Sequence, residues 1–375
     1  MFGVDVINTV QIAGYRGFSN FEMTELGQVN LLVGTNNSGK TSILEALYLL
    51  ATGGDPSALS TIISKRGEMI ERGNPRAAGE EELEVSHLFF GHELRVGSRF
   101  SITTKNQTPH KFIKFTVEEM TRDELPGLIL PEGGDGLTQR LVLNIEGSPS
   151  PATPRIALSR RGGFLADFID YPRRRRIRDN SDLLSSQYVS TESLSVYSLT
   201  ALWDQIVLTD EEARVLKALK FLDPDIERIA SITSKSSYRS NSSRGGFIVR
   251  RKGFDQPIPI GSLGDGTWRI LALTIALIRA KDGLLLVDEI DTGLHYTVMA
   301  SMWRLVEEVA KSLNVQVFAT SHSYDCVQSL AVICNDENSD KSHITIQRIE
   351  LNKSKAIAFS EAQIKVAAES HIEVR

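Results

Sequence analysis

One stretch, Gly34-Thr35-Asn36-Asn37-Ser38-Gly39-Lys40-Thr41-Ser42, constrains this chain more than any other. Its spacing of glycine, four residues and Gly-Lys-Ser/Thr is that of a phosphate-binding loop. The apolar run Val29–Val33 before it predicts a buried strand, and Ser42–Leu50 after it predicts a helix. Glycines let backbone N–H groups turn inward around an anion. The helix start adds unpaired N–H groups and the positive end of its dipole. Lys40 is then placed to reach the β- and γ-phosphates of a nucleotide, and the Thr41 hydroxyl to ligand Mg2+. Gly34, Asn36, Asn37, Ser38, Gly39, Lys40, Thr41 and Ser42 are the expected nucleotide-binding residues of this loop.

A second constellation lies some 250 residues downstream. Leu284–Val287 is a short, wholly apolar run, as in a parallel strand covered on both faces. Asp288-Glu289 ends it, at the sheet edge where open α/β folds bind their ligands. Asp288 is expected to hold Mg2+, and Glu289 to orient or deprotonate an attacking water. The next apolar run, Val315–Ala319, ends at Thr320-Ser321-His322, so the His322 imidazole is expected beside the γ-phosphate. Gly261-Ser262-Leu263-Gly264-Asp265-Gly266 opens the helical stretch Thr267–Arg279 and forms another anion site at a helix start. Ser262, Gly264 and Gly266 are its expected contacts.

The patterning between these ends predicts an α/β fold, a mixed sheet flanked by helices, interrupted by a long α+β insertion. Residues 1–54 and 246–375 are expected to form the discontinuous core, with 55–245 as an inserted lobe, first β-rich and then helical. Val10–Phe18 and Phe21–Leu26 read as antiparallel strands. Within the insertion, Leu83–Phe90, Leu94–Thr104, Phe112–Val117 and Leu141–Ile145 read as strands. Leu194–Val207 and Asp210–Phe221 have helical spacing, the second started by Thr209. Strands are expected again at Ile226–Ser234 and Phe247–Arg251, then a helix over His295–Leu313, an apolar stretch over Ile344–Leu351 and a final helix from about Glu361.

Net charge is −5, but Arg155 to Arg178 holds eight arginines against two aspartates, a cluster that could meet phosphates or an acidic partner. No run approaches the roughly 18 apolar residues of a membrane span. The start of the chain lacks the pattern of a signal peptide, so a cytoplasmic location is expected. Cys326 and Cys334 match no metal or disulfide spacing and are expected to be reduced thiols.

Taken in order, the phosphate loop, the Gly-rich turn, Leu284-Leu-Leu-Val-Asp-Glu289 and the strand-end Ser321-His322 resemble an ABC-type ATPase. The similarity is to the soluble group that includes RecF, the SMC proteins and the ATPase part of OLD-family proteins. Tyr15-Arg16-Gly17-Phe18 resembles that group's N-terminal strand, and Asp291-Thr-Gly-Leu-His295 its OLD-like members. The resemblance implies a P-loop NTPase that uses ATP and Mg2+. It also implies a homodimer enclosing two ATP molecules, each held by one subunit's loop and the other's Gly-rich turn. Lys40 would bind phosphates, Thr41 and Asp288 would hold Mg2+, Glu289 would be the base and His322 the switch histidine, with Arg16 among the nucleotide contacts.

Three departures stand out. Gly264 occupies the place of the signature serine, His295 that of an aspartate touching the partner site, and no glutamine completes the Mg2+ site. Its expected location is Val85–Glu93, with His87 or His92 as the substitute. The 53 residues after His322 carry no acidic cluster, so no nuclease site is expected there. The implied roles are ATP hydrolysis driving dimer opening and closing, in phage defence or DNA maintenance, and an ATP-gated sensor restraining a separately encoded effector. In the DNA-maintenance role the Arg155–Arg178 segment would touch backbone phosphates.

Overall fold

The computed structural model describes residues 6–70, 82–105, 110–120, 141–148, 155–159, 161–165, 184–232, 246–334, 344–370 and 374. The chain opens with the hairpin β1 (Thr9–Tyr15) and β2 (Phe18–Met23), then β3 (Val29–Val33), α1 (Lys40–Ala51) and α2 (Pro56–Lys65). A mostly β stretch follows: β4 (Met69–Ile70), β5 (Glu82–Glu84), β6 (Arg99–Lys105), β7 (Phe112–Glu119), β8 (Leu141–Ser148), β9 (Arg155–Ala157), β10 (Gly163–Leu165) and β11 (Ser185–Val189). Helices α3 (Val196–Trp203) and α4 (Asp210–Lys220) lead to β12 (Ile226–Ser231), β13 (Phe247–Arg251) and β14 (Ile258–Pro259). The last third is α5 (Asp265–Arg279), β15 (Gly283–Val287), α6 (Tyr296–Leu313), β16 (Gln316–Thr320), α7 (Tyr324–Cys334), β17 (Ile344–Arg348), β18 (Ile357–Ser360) and α8 (Glu361–Glu369).

Two sheets carry the fold. The central one runs β11-β15-β16-β3-β17-β18, parallel except for its edge strand β18. The second, β2-β1-β6-β7-β8-β9, is antiparallel. Alternation along the central strands assigns their side chains to two cores. Val29, Leu31, Val33, Leu285, Val287, Val317 and Ala319 pack with α5 and α6. Leu32, Leu284, Leu286 and Phe318 face the other way, onto α1 and the inner face of the antiparallel sheet. The phosphate-loop helix therefore lies between the two sheets, while α5 and α6 cover the opposite face. Asn30, a polar residue inside β3, is buried at no penalty. Its amide donates to the Gly27 and Val317 carbonyls, and its oxygen accepts from Gly27 N–H and Thr345 Oγ1.

Residues 55–245 are not set apart from the chain ends. Strands β6–β9 extend the β1–β2 hairpin into one sheet, and β11 pairs with β15 in the central sheet. Its polar sequence, Ser185-Ser-Gln-Tyr-Val189, hides this, because an edge strand needs little apolar surface. Leu83–Phe90 is strand only over Glu82–Glu84 and then winds into short 3-10 turns. The physical reason is spacing: Val85, Leu88 and Phe89 all face inward, and an i, i+3, i+4 pattern suits a turn of helix. Gly97, at φ +89, delays the next strand to Arg99. Helix α4 starts as expected, with the Thr209 hydroxyl accepting from Glu211 N–H.

Of the eight arginines between 155 and 178, only Arg155 and Arg161 are among the described residues, and Arg155 Nη2 donates to Glu118 Oε2 at 3.3 Å. Both cysteines are free thiols, Cys326 buried and Cys334 half-buried. Among the described residues no helix is long and apolar enough to cross a membrane. Phe318, fully buried between β16 and α1, sets the contact between sheet and loop helix. Phe318→Ala is expected to lower unfolding stability by about 3–5 kcal/mol in a urea titration, the sum of lost transfer energy and a cavity.

Candidate functional site

The parallel strands β11, β15, β16 and β3 end at one edge, and the candidate residues follow directly from those ends. After β3 the chain turns through residues 34–39 into α1. Gly39 takes the N-cap position at φ +96, and a Cβ there would sit 2.4 Å from the Phe18 ring. Only glycine lets the loop close against the start of β2. Lys40 Nζ donates to the Gly34 carbonyl at 2.8 Å and the Thr35 carbonyl at 2.9 Å, so the ammonium hangs across the loop. Burial pushes its pKa down, against the opposing pull of Asp288 and Glu289. The Ser38 hydroxyl is buried and finds no hydrogen-bond partner among the described residues. Asn36 and Asn37 form the exposed tip, Asn37 at φ +62. Ser42 turns away, its hydroxyl accepting from Arg66 Nη2 at 3.2 Å.

Facing the loop is the end of β15. Thr41 Oγ1 lies 3.2 and 3.1 Å from the two Asp288 carboxylate oxygens, bridging 247 residues of sequence. Thr320, ending β16, donates to Asp288 Oδ1 at 2.7 Å and accepts from Glu289 N–H at 2.8 Å. Thr191, just past β11, lies 3.5 Å from Asp288 Oδ2. Glu289 has a left-handed backbone, φ +47, uncommon for a residue with a side chain. Its Oε1 is 3.6 Å from His322 Nδ1 and its Oε2 accepts from Thr292 Oγ1 at 3.3 Å, and both His322 and Glu289 are open to solvent. Below them Arg269, from α5, is buried, and burial pushes its pKa down to about 10.

The phosphate loop, Asp288, Glu289 and His322 thus share one edge. The other expected contacts have partners or surroundings of their own. Arg16 is buried, with Nε 2.8 Å from Glu45 Oε2 and Nη1 2.6 Å from Glu68 Oε1. Its guanidinium ties the β1–β2 turn to α1, where two carboxylates are within reach and satisfy it. Ser262 and Gly264 are exposed and Gly266 half-exposed at the head of α5, which covers the sheet face opposite α1. His87 and His92 turn to each other, Nδ1 to Nδ1 at 3.2 Å, with Glu84 Oε2 3.5 Å from His87 Nε2.

Thr191, Thr320 and Arg269 escaped the sequence reading. An arginine within the apolar run Trp268-Arg-Ile-Leu-Ala-Leu273 was the one available signal. Thr320 stood at a strand end beside His322 but was assigned no role, and Thr191 carried no signal.

A family model described as "AAA domain, putative AbiEii toxin, Type IV TA system" matches residues 29–325. A protein of Helicobacter pylori (strain ATCC 700392 / 26695) named "ATP/GTP phosphatase" is 21% identical over 357 residues, 89% of this chain and 90% of that one. The DNA replication and repair protein RecF of Idiomarina loihiensis is 43% identical over 47 residues, 12% of this chain and 13% of its own. Among solved structures, the SmcHead bound to the C-winged helix domain of ScpA aligns with a TM-score of 0.50 at 14% identity, covering 94% of this chain and 97% of that chain. At that identity the likeness is one of fold.

Proposed function

Because this chain belongs to that AAA-domain family and is an ATPase of the ABC and SMC-head kind, we propose that it works as a Mg2+-dependent homodimer, opened and closed by ATP binding and hydrolysis. The observation that carries the reading is the Thr41–Asp288 contact beside the Lys40 loop. The donor set fits the ion: hydroxyl and carboxylate oxygens are the hard ligands Mg2+ takes. The buried, unpartnered Ser38 hydroxyl and the Lys40 ammonium fit a phosphate chain lying in the loop. Bound between Thr41 and Asp288, Mg2+ would offset negative charge on the β- and γ-phosphates.

The chain's own groups supply the rest. Lys40 gives up two loop carbonyls for phosphate oxygens, a stronger, charge-assisted pairing. Glu289 takes the proton of the attacking water. His322, within 3.6 Å of Glu289, donates to a phosphate oxygen or steadies that water. Thr320 and Thr191 keep the Asp288 carboxylate aimed at the loop. The exposed turn Ser262–Gly266 lies behind the other face of the sheet, so it serves the loop of a second copy.

Complementation tests this arrangement. Lys40→Ala spoils one chain's loop and Gly264→Asp spoils the other's turn with a carboxylate. Each variant alone is expected to be inactive. An equal mixture is expected to recover about a quarter of parental turnover, since half the dimers carry one intact composite site. A mixture as inactive as its components would place the turn and loop in the same chain and end the proposal.

One observation also favours a second reading, an ATP-gated regulator of a separately encoded effector. Gly264 has φ +90 and ψ 168, a region open to glycine and strained for serine. The hydroxyl that resembling ATPases place there is therefore missing by construction, which favours slow turnover. Brisk turnover by the purified protein alone would count against this reading.

A further inference from the structure

We propose that Arg269 is a positioning residue that sets the backbone of Asp288 and Glu289, and through α5 couples the exposed turn around Gly264 to the catalytic carboxylate. The proposal rests on the ATPase reading above. Arg269 is 2% exposed and sits five residues into the sequence from Gly264, on the first turns of α5. Nη1 donates to the Ser190 carbonyl at 2.8 Å, and Nη2 donates to the Asp288 and Glu289 carbonyls, both at 2.8 Å. One guanidinium therefore clasps the ends of β11 and β15, and the Glu289 carbonyl it holds also accepts from Thr292 N–H at 3.0 Å.

Stability alone does not account for a cation there. Its neighbours Trp268, Ile270 and Leu271 are buried apolar side chains, and an apolar residue would pack among them without a desolvation cost. The retained charge falls instead on the peptide that aims Glu289. That residue is held at φ +47 from both sides, its N–H on Thr320 Oγ1 and its carbonyl on Arg269. A left-handed backbone at a residue with a side chain persists only when its surroundings impose it. Remove the Arg269 clasp and the peptide relaxes, carrying the carboxylate away from His322. Because the clasp is mounted on α5, a displacement of that helix head by a partner's nucleotide is passed to the Glu289 peptide by this side chain.

The test compares Arg269→Lys and Arg269→Met with the parent chain. Lysine keeps the charge but cannot fork to three carbonyls, and methionine fills the volume alone. Both are expected to bind ATP and to dimerise with ATP as the parent does, within about 3-fold. Turnover is expected to fall about 100-fold in the methionine variant, the scale of a misplaced catalytic group, with partial recovery in the lysine variant. Turnover within a few-fold of the parent in both variants would overturn the proposal. So would equal loss of ATP affinity and turnover, or failure of both variants to fold, since either assigns Arg269 to structure alone. A parent chain that neither hydrolyses ATP nor dimerises with it would instead sink the underlying reading, whatever Arg269 does.

Discussion

Glu289→Gln is expected to leave ATP bound and to lower its turnover by about a thousand-fold, within the range general-base catalysis supplies. Glutamine has the same length and can still hold a water by hydrogen bonding, but it cannot accept the proton. The backbone contacts that aim the side chain, to Thr320 and Arg269, are untouched by the change. Because the Glu289 carboxylate is open to solvent, its loss costs the fold little. Phosphate release measured beside equilibrium binding of a fluorescent ATP analogue separates the two effects. If closure of the dimer precedes hydrolysis, the variant is also expected to accumulate as an ATP-locked dimer on size exclusion. Undiminished phosphate release would remove Glu289 from the role of base.

Lys40→Ala is expected to act at the earlier step. The ammonium is the loop's own cation, and a hydrogen bond to a charged group is worth enough to weaken ATP binding by roughly 10- to 100-fold when lost. Turnover at saturating ATP is expected to fall by a further 100- to 1,000-fold, as for other single charge-stabilising donors. The fold is expected to survive, since burial already works against the charged form of Lys40 and alanine is a good helix former. Calorimetric titration with ATP and a thermal melt distinguish a lost contact from a lost structure. ATP affinity equal to the parent's would mean that the loop does not hold the phosphates. The two variants differ in a way neither shows alone: one binds without turning over, the other barely binds.

Much of this site was readable in the chain because the chemistry depends on local order. A strand, five loop residues and Gly-Lys-Thr form an anion cradle wherever they occur, since the cradle is built from consecutive backbone N–H groups. An apolar quartet ending in Asp-Glu announces a strand edge for the same reason, and both ends of the chain carried such signals. What the sequence could not convey is where side chains go when long-range neighbours compete for them. Arg16 resembles a nucleotide contact in its motif, yet Glu45 and Glu68, 29 and 52 residues on, claim its guanidinium.

The sequence by itself determined that a phosphate loop and a carboxylate pair belong to one α/β sheet. Periodicity and glycine placement are properties of neighbouring residues, so they can be read without a fold. Only the tertiary structure decided that α1 and α5 cover opposite faces, which separates loop from turn within a chain. It alone recruited the polar strand β11 to the central sheet and set Thr191, Thr320 and Arg269 around Asp288 and Glu289. Those placements depend on strand order and on which strand ends come to lie side by side, and neither is written in any short stretch of residues.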